Sequence, residues 1–175
     1  MDLTRTEHKV LSFLSRTPAR NLFGNEIARR VGASKGAANM ALRKLVGAGL
    51  LTREKVGRDY FYQANASNPM LRHFRISLTL SELAPLVKGL ETRSERVVLY
   101  GSAAEGTDSG DSDADLFVIS RKKAGVSELR RKFKAPRKIS LKVVSPKEFL
   151  SLKSSEPAFV NNIAKGMVLW RAKHD

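Results

Sequence analysis

The sequence has 175 residues, no cysteine, and 32 lysines and arginines against 17 acidic residues, which gives a formal net charge of +15. The lack of cysteine excludes disulfide bonds and thiolate metal sites, and no apolar run approaches the roughly 18–20 residues of a membrane-spanning helix. The cationic excess favours a polyanionic partner such as nucleic acid. Because the N-terminus lacks the apolar stretch of a secretory signal, we expect a cytoplasmic protein.

Three helical segments are predicted near the N-terminus. The first spans residues 4–15, with its apolar side chains on one face, and the second spans residues 25–31. Ser34 is a suitable N-cap for the third, which runs over residues 35–48.

A β-hairpin is predicted next, because two strand-like runs, residues 50–56 and 60–64, flank a turn at Gly57-Arg58-Asp59. Three helices followed by a hairpin is the order of a winged helix-turn-helix, whose third helix lies in the DNA major groove while the hairpin forms a wing. On the third helix, the expected apolar positions are Met40, Leu42, Leu45 and Val46, and the expected exposed positions are Lys35, Ala38, Asn39, Arg43 and Lys44.

The polar side chains of the third helix and the wing suit DNA. Asn39 can pair bidentately with adenine, and Arg43 can contact guanine or phosphate. Cations of the wing can reach the DNA backbone or the minor groove. The predicted DNA-binding residues are Lys35, Asn39, Arg43, Lys44, Arg53, Lys55 and Arg58.

Residues 4–65 resemble the winged-helix transcription regulators of bacteria and archaea. The resemblance rests on the run NEIARRVGASKGAANMALRKLVGAGLLTREKVGRDYFYQA. It implies double-stranded DNA as a partner, and a homodimer, since such modules usually bind paired half-sites. A winged helix used only for protein contacts is the alternative, which the basic third helix and wing disfavour.

The predicted fold class is α+β. An N-terminal winged helix (three helices plus a β-hairpin wing) at 1–66 is followed by a helical connector at 67–93 and a small mixed-sheet domain at 94–175. Within the connector, Pro85 is expected at the first turn of a second helix that begins near residues 81–84. The C-terminal domain is expected to have strands at 96–100, 115–119, 139–144 and 167–170, and helices at 127–134, at 159–165 and beginning at Ser145.

The stretch VVLYGSAAEGTDSGDSDADLFVI carries the chemistry of the C-terminal part. A buried strand delivers Gly101-Ser102 into a thin loop, and Asp113 and Asp115 stand at the start of the next strand. Alternate residues of a strand face the same side, so both carboxylates share one face. Such a pair suits a hard cation such as Mg²⁺, and Gly101 and Ser102 can hold phosphates opposite it.

This motif resembles that of the polymerase-β-like nucleotidyltransferases, in particular the minimal nucleotidyltransferase group, over residues 94–170. The resemblance implies a nucleoside triphosphate as ligand, with Mg²⁺ held by Asp113 and Asp115 and the nucleotide held at Gly101 and Ser102. In that family a hydroxyl attacks the α-phosphate, and two-metal chemistry requires a third carboxylate on a later strand.

The later strand departs from this pattern, because residues 138–144 contain no acid, and Ser140 or Lys142 takes the expected place. Efficient transfer is therefore not expected unless another acid substitutes; the candidates are Glu105, Asp108, Asp111 and Glu148. Two functions remain. The first is a DNA-binding transcriptional regulator with a nucleotidyltransferase-like domain that binds Mg-nucleotide but has weak or no catalysis. The second is an active nucleotidyltransferase that modifies a protein, an RNA or a small molecule.

A basic strip, residues 121–147, contains eleven lysines and arginines and one acid, Glu128. It is interpreted either as a docking surface for a polyanion or as a solvated helix face.

Overall fold

The structure is a computed structural model that describes residues 2–17 and 22–173. It contains two compact units. One comprises the residues up to Arg75 together with Ser109–Asp111, and the other comprises Ile76–Asp108 and Ser112–Asp175. The boundaries expected at 66 and 93 stay predictions. Within the described residues, no helix is both long enough and apolar enough to span a bilayer.

The N-terminal unit has the predicted winged-helix order. Its elements are α1 (Arg5–Arg16), β1 (Leu22–Phe23), α2 (Gly24–Val31), α3 (Lys35–Gly47), β2 (Leu51–Val56) and β3 (Asp59–Ala64). The sheet order is β1-β3-β2, all antiparallel. The two-residue strand β1 was not predicted, because two residues carry no periodicity.

Helix caps set the limits of the first helices. Thr4 and Glu7 form a capping box at the start of α1, in which each side chain accepts the other residue's backbone N–H. Ser34 accepts the Ala37 backbone N–H at the start of α3, as predicted. The helices bury Val10, Leu11, Leu14, Ile27, Leu42 and Leu45 against Leu50, Leu51 and Tyr62.

Two positions of α3 differ from expectation. Ala38 is fully buried, whereas Met40 is 75% exposed. Ala38 belongs to the buried face because it precedes Ala41, Leu42 and Leu45 by three, four and seven positions. Met40 lies off that face, so the expected places of the two residues were exchanged.

Helix α4 (Pro69–Leu90) is continuous, with Pro85 in its interior. The expectation of a second helix beginning near 81–84 was therefore wrong. Leu83, Leu86 and Leu90 are buried in the second core cluster on both sides of the proline. Their packing keeps the segment helical, although Pro85 cannot donate the usual backbone hydrogen bond.

The C-terminal unit contains a four-stranded mixed sheet and flanking helices. Its further elements are β4 (Arg96–Tyr100), α5 (Ser102–Glu105), β5 (Ala114–Ile119), α6 (Lys123–Lys132), β6 (Ile139–Val144), α7 (Pro146–Ser155), α8 (Pro157–Ala164) and β7 (Met167–Arg171). The strand order is β6-β5-β4-β7, in which only β5 and β6 are parallel.

The predicted elements of this unit are present, although two helices begin earlier than expected, α6 and α8, the latter at Pro157 rather than at Phe159. Ser145 and Glu148 form a capping box with Pro146 in the first turn of α7, as predicted. Helix α6 begins at Lys123 rather than at Ser127, without a side-chain cap. Val126 is fully buried in the core and extends the helix toward its N-terminus. The α+β class and the mixed sheet are confirmed.

Candidate nucleic-acid interface and acidic site

A groove of about 630 Å³ opens in the N-terminal unit between α2, α3 and the wing formed by β2 and β3. Four arginines line it: Arg29 from α2, Arg43 from α3, Arg53 from β2 and Arg58 from the turn of the wing. Only two acids, Glu26 and Asp59, stand among the lining residues of this groove. The groove therefore presents net positive charge to an incoming ligand.

Four of the seven predicted DNA-binding residues line this groove, namely Asn39, Arg43, Arg53 and Arg58. Lys35 and Lys55 are exposed but are not among its lining residues. Lys44 does not line the groove either; its side chain is 59% exposed, and its ammonium lies 3.1 Å from Oε2 of the buried Glu7.

The start of α2 also reaches the groove, which sequence reasoning missed. Gly24, Asn25 and Arg29 are lining residues, and Phe23 provides no side-chain cap for the helix. A β-carbon at Gly24 would lie 3.2 Å from Asn39 Oδ1, so a glycine allows the first turn of α2 to approach that amide closely. In the sequence, only the two arginines of the second helix, Arg29 and Arg30, could have indicated that this helix contributes to the groove.

Aromatic contacts stiffen the wing. The Phe23 and Phe61 rings have centroids 4.1 Å apart, which fixes β1 against β3. The Arg53 guanidinium lies 4.7 Å from the centre of the Tyr60 ring. This contact holds the Arg53 cation at the groove.

In the C-terminal unit, the structure brings Gly101 and Asp115 together at the end of β4. Gly101 has φ +70°, and a β-carbon there would lie 3.1 Å from Asp115 Oδ2. Both the backbone conformation and the nearby carboxylate therefore require glycine. Ser102 begins α5 directly after it, so the predicted nucleotide residues lie beside one of the predicted metal ligands.

Asp115 is paired with Tyr100 of β4 and with Ser140 of β6. Of the two residues expected in place of the third carboxylate, Ser140 is therefore the one directly beside Asp115. Lys142 lies further along β6, beside Glu156 and over the Phe159 ring. Burial raises the pKa of the Tyr100 hydroxyl, and the Asp115 charge raises it further.

Asp113 has a cationic neighbour that sequence reasoning missed. Lys138 Nζ lies 2.7 Å from Asp113 Oδ2, and the Ala114 N–H donates to the Lys138 carbonyl at 2.9 Å. The hydrogen bond to Asp113 raises the pKa of the Lys138 ammonium, and the charges of Asp113 and Asp115 act in the same direction. Only the parallel register of β5 and β6 reveals this pairing.

Arg137 anchors the loop that leads to Asp113. Its guanidinium donates to Asp108 Oδ2 at 2.7 Å and to the carbonyls of Ser112 and Asp113 at 2.6 and 3.2 Å. The side chains of Arg137 and Asp108 are 7% and 0% exposed. A buried ion pair with several hydrogen bonds fixes the backbone of this loop.

The residues do not fit the three-carboxylate set that two-metal transfer requires. Asp108 is paired with Arg137, and Glu148 is engaged by Lys123 and by its capping box. Glu105 and Asp111 are exposed. Among the described residues, no group of three histidine or acidic side chains is arranged to hold a metal ion.

Most of the charge of the basic strip is compensated internally. All of residues 121–147 are described, and seven of the eleven cations have protein partners there or nearby. Arg121, Lys123, Lys132, Arg137, Lys138 and Lys142 pair with acids, and Arg130 donates to backbone carbonyls. The polyanion-docking interpretation of the strip is therefore weakened, because only four of its eleven cations are left to contact a ligand. These are Lys122, Arg131, Lys134 and Lys147.

Fold and site together define a two-part protein, a winged helix followed by a nucleotidyltransferase-type domain. Residues 1–59 match the family model of the MarR family. Residues 87–175, just over half of the chain, match the model described as polymerase beta, nucleotidyltransferase. The chain belongs to this nucleotidyltransferase family and carries a MarR-type winged helix at its N-terminus.

Solved structures with similarity include members of both classes. The PcaV transcriptional regulator from Streptomyces coelicolor, solved with its natural ligand, is 23% identical, with a TM-score of 0.37, over 47% of this chain and 62% of its own length. The S. aureus MepR–DNA complex is 19% identical, with a TM-score of 0.36, over 52% of this chain and 81% of its own. A candidate nucleotidyltransferase from Sulfolobus solfataricus is 14% identical, with a TM-score of 0.41, over 60% of this chain and 91% of its own. A search of curated proteins gave no match.

Proposed function

We propose that the chain is a DNA-binding transcription regulator whose nucleotidyltransferase-type domain has lost efficient nucleotidyl transfer. The observation that carries the proposal is the arginine-lined groove, which joins the third helix of the winged helix to its wing. A groove of this composition suits a phosphate backbone, and an exposed helix at its wall suits the major groove.

Within this proposal, the groove residues have different tasks. Asn39 and Arg43 on α3 read base edges, whereas Arg53 and Arg58 on the wing contact phosphates or the minor groove. Lys35, Lys44 and Lys55, which do not line the groove, remain proposed phosphate contacts. Two copies of the chain bind paired half-sites as a homodimer, which analytical ultracentrifugation of the protein with and without DNA tests.

The direct test is DNA affinity, measured by fluorescence anisotropy on a duplex selected in vitro with the full chain. Arg43→Ala should weaken binding by about 1–3 kcal/mol, or roughly 5- to 150-fold, because a base contact is lost. Arg72→Ala is the matched control, since Arg72 is exposed on α4 of the same unit and does not line the groove. Equal affinity of the two variants would exclude the groove as the DNA site.

The lost-transfer part is supported by the lack of an acid on β6, where Ser140 is paired with Asp115, and by the lysine beside Asp113. A nucleoside triphosphate with Mg²⁺ is the proposed ligand of Gly101, Ser102, Asp113 and Asp115. Binding of labelled ATP should require Mg²⁺ and should be lost in Asp113→Ala and Asp115→Ala. Nucleotide binding that survives both substitutions would rule out this site.

An active nucleotidyltransferase is the second candidate. It is favoured by the retained approach of Gly101 to Asp115, which keeps part of the family motif. Incubation of the protein and cell extract with labelled nucleoside triphosphates and Mg²⁺ or Mn²⁺ decides between the two. Labelling of an acceptor that disappears in Asp115→Ala would establish the enzyme and overturn the proposal.

A further inference from the structure

The start of β6 places two consecutive cations against the loop that carries Asp113. Arg137 is buried and holds the Ser112 and Asp113 carbonyls, while Lys138 is exposed and contacts the Asp113 carboxylate at 2.7 Å. Arg137 thus binds the backbone of the loop, and Lys138 binds the carboxylate of Asp113.

The parallel register makes this arrangement a property of the sheet. Ala114 is paired with Ile139 and Asp115 with Ser140, so Lys138 stands beside Asp113 one position earlier. Residues two apart on a strand share a face. Asp113 and Lys138 directly precede β5 and β6, and Asp115 and Ser140 are paired within them, so the four residues lie together at the start of the two strands.

The charges of Asp113 and Asp115 both act on the Lys138 ammonium, and two carboxylates that share a neighbourhood repel each other unless a cation lies beside them. We infer that Lys138 is the resident cation of the Asp113–Asp115 pair, so that the domain holds its acidic site together without a divalent metal. This inference deepens the lost-transfer part of the proposed function and does not depend on DNA binding.

The consequence for metal binding follows from charge. With the Lys138 ammonium in place, the site carries the two negative charges of Asp113 and Asp115 and one positive charge, and Ser140 adds none. A divalent cation must displace the ammonium before it can take Asp113 as a ligand, and the displaced charge still repels it. Affinity for the free metal ion is therefore low in this chain and rises when the lysine is removed. A nucleoside triphosphate can pair with the displaced ammonium, so the proposed Mg-nucleotide remains compatible with the site.

The test measures Mn²⁺ binding by electron paramagnetic resonance, and thermal unfolding with EDTA or Mn²⁺, on the full chain. The wild type should unfold at the same temperature in both media. Lys138→Met should unfold earlier in EDTA, be stabilised by Mn²⁺, and bind Mn²⁺ about tenfold more tightly or better, because a competing charge is gone.

Two further variants serve as controls. Lys142→Met removes a paired lysine from the same strand and should leave Mn²⁺ binding as in the wild type. Lys138→Arg keeps the cation and should stay insensitive to Mn²⁺. If Lys138→Met folds only with Mn²⁺, the inference is supported equally.

The inference is overturned if the wild type binds Mn²⁺ as tightly as Lys138→Met, or if Lys142→Met responds to Mn²⁺ in the same way. Nucleotide labelling and DNA affinity are measured on the same preparations. Transfer activity in the wild type would refute the proposed function, whereas Mn²⁺ binding without transfer would refute only the role of Lys138.

Discussion

At the scale of single residues, Glu7 shows how a buried acid can anchor the DNA-binding unit. Its carboxylate accepts the Thr4 backbone N–H at 3.0 Å and the Lys44 ammonium at 3.1 Å. Burial raises the pKa of Glu7, but the hydrogen bonds and the Lys44 charge outweigh it, and the pKa is lowered below 4.5. The ionised form therefore stabilises the fold and ties α1 to α3.

We predict that Glu7→Gln lowers the free energy of unfolding by about 1–3 kcal/mol at pH 7. A depressed pKa gives stability that is present above the unfolded-state value and is lost as the pH falls through the folded-state value. The difference from the wild type should thus shrink below pH 4.5, as measured by urea unfolding across pH. Glu54→Gln, in the exposed wing, should show no such trend; a difference for Glu7→Gln that is constant down to pH 2 would contradict this account.

Ala38 and Met40 show what residue type alone conceals. By hydropathy alone, methionine is expected in the core, and alanine is expected there no more than at the surface. The helical phase set by Leu42 and Leu45 nevertheless buries Ala38 and exposes Met40. The exposure of Asn39 and Arg43 and the cap at Ser34 were predicted, since each depends on local spacing. The exposed Met40 therefore leaves an apolar side chain on the surface of α3, next in sequence to the groove residue Asn39.

We predict that Met40 contacts a thymine methyl group. Met40→Ala should weaken binding to the selected duplex two- to tenfold, in line with about 0.8 kcal/mol per buried methylene. Replacing thymine by deoxyuridine at the contacted position should weaken wild-type binding similarly and leave Met40→Ala unchanged. Equal losses for both proteins on deoxyuridine DNA would disprove the contact.

At the scale of elements, the periodic and capped segments were predictable and the tertiary ones were not. Strands β4 and β6 and the capping box of α7 follow the sequence pattern. The early start of α6, the short β1 and the unbroken α4 depend on packing that no local signal contains. The pairing of Lys138 with Asp113 belongs to the same group, because it arises from the register of two strands.

Helix α4 gives a prediction at this scale. Pro85 is exposed and removes one backbone hydrogen bond from the interior of the helix. Pro85→Ala should restore that bond and raise the free energy of unfolding by roughly 1–3 kcal/mol. Thermal unfolding measures the change, with Ala84→Gly, at the adjacent exposed position, expected to have the opposite sign. A lower melting temperature for Pro85→Ala would contradict this prediction.

At the scale of the whole molecule, the cations behind the net charge of +15 differ in whether nearby acids compensate them. In the basic strip, most cations are paired with acids or carbonyls of the same unit. In the groove, four arginines meet only two acids. Composition suggested a polyanionic partner but could not locate its site, because only the fold decides which charges are compensated.

The measurement that tests the central claim most directly is the salt dependence of DNA binding. Each phosphate contact contributes about 0.9 to the slope of log K against log salt concentration. Replacing both wing arginines, Arg53→Ala with Arg58→Ala, should therefore reduce the slope by about 2. Arg131→Ala with Lys134→Ala removes the same charge from the basic strip and should leave the slope unchanged. A slope reduced by the strip pair and unaffected by the wing pair would contradict the assignment of DNA binding to the groove.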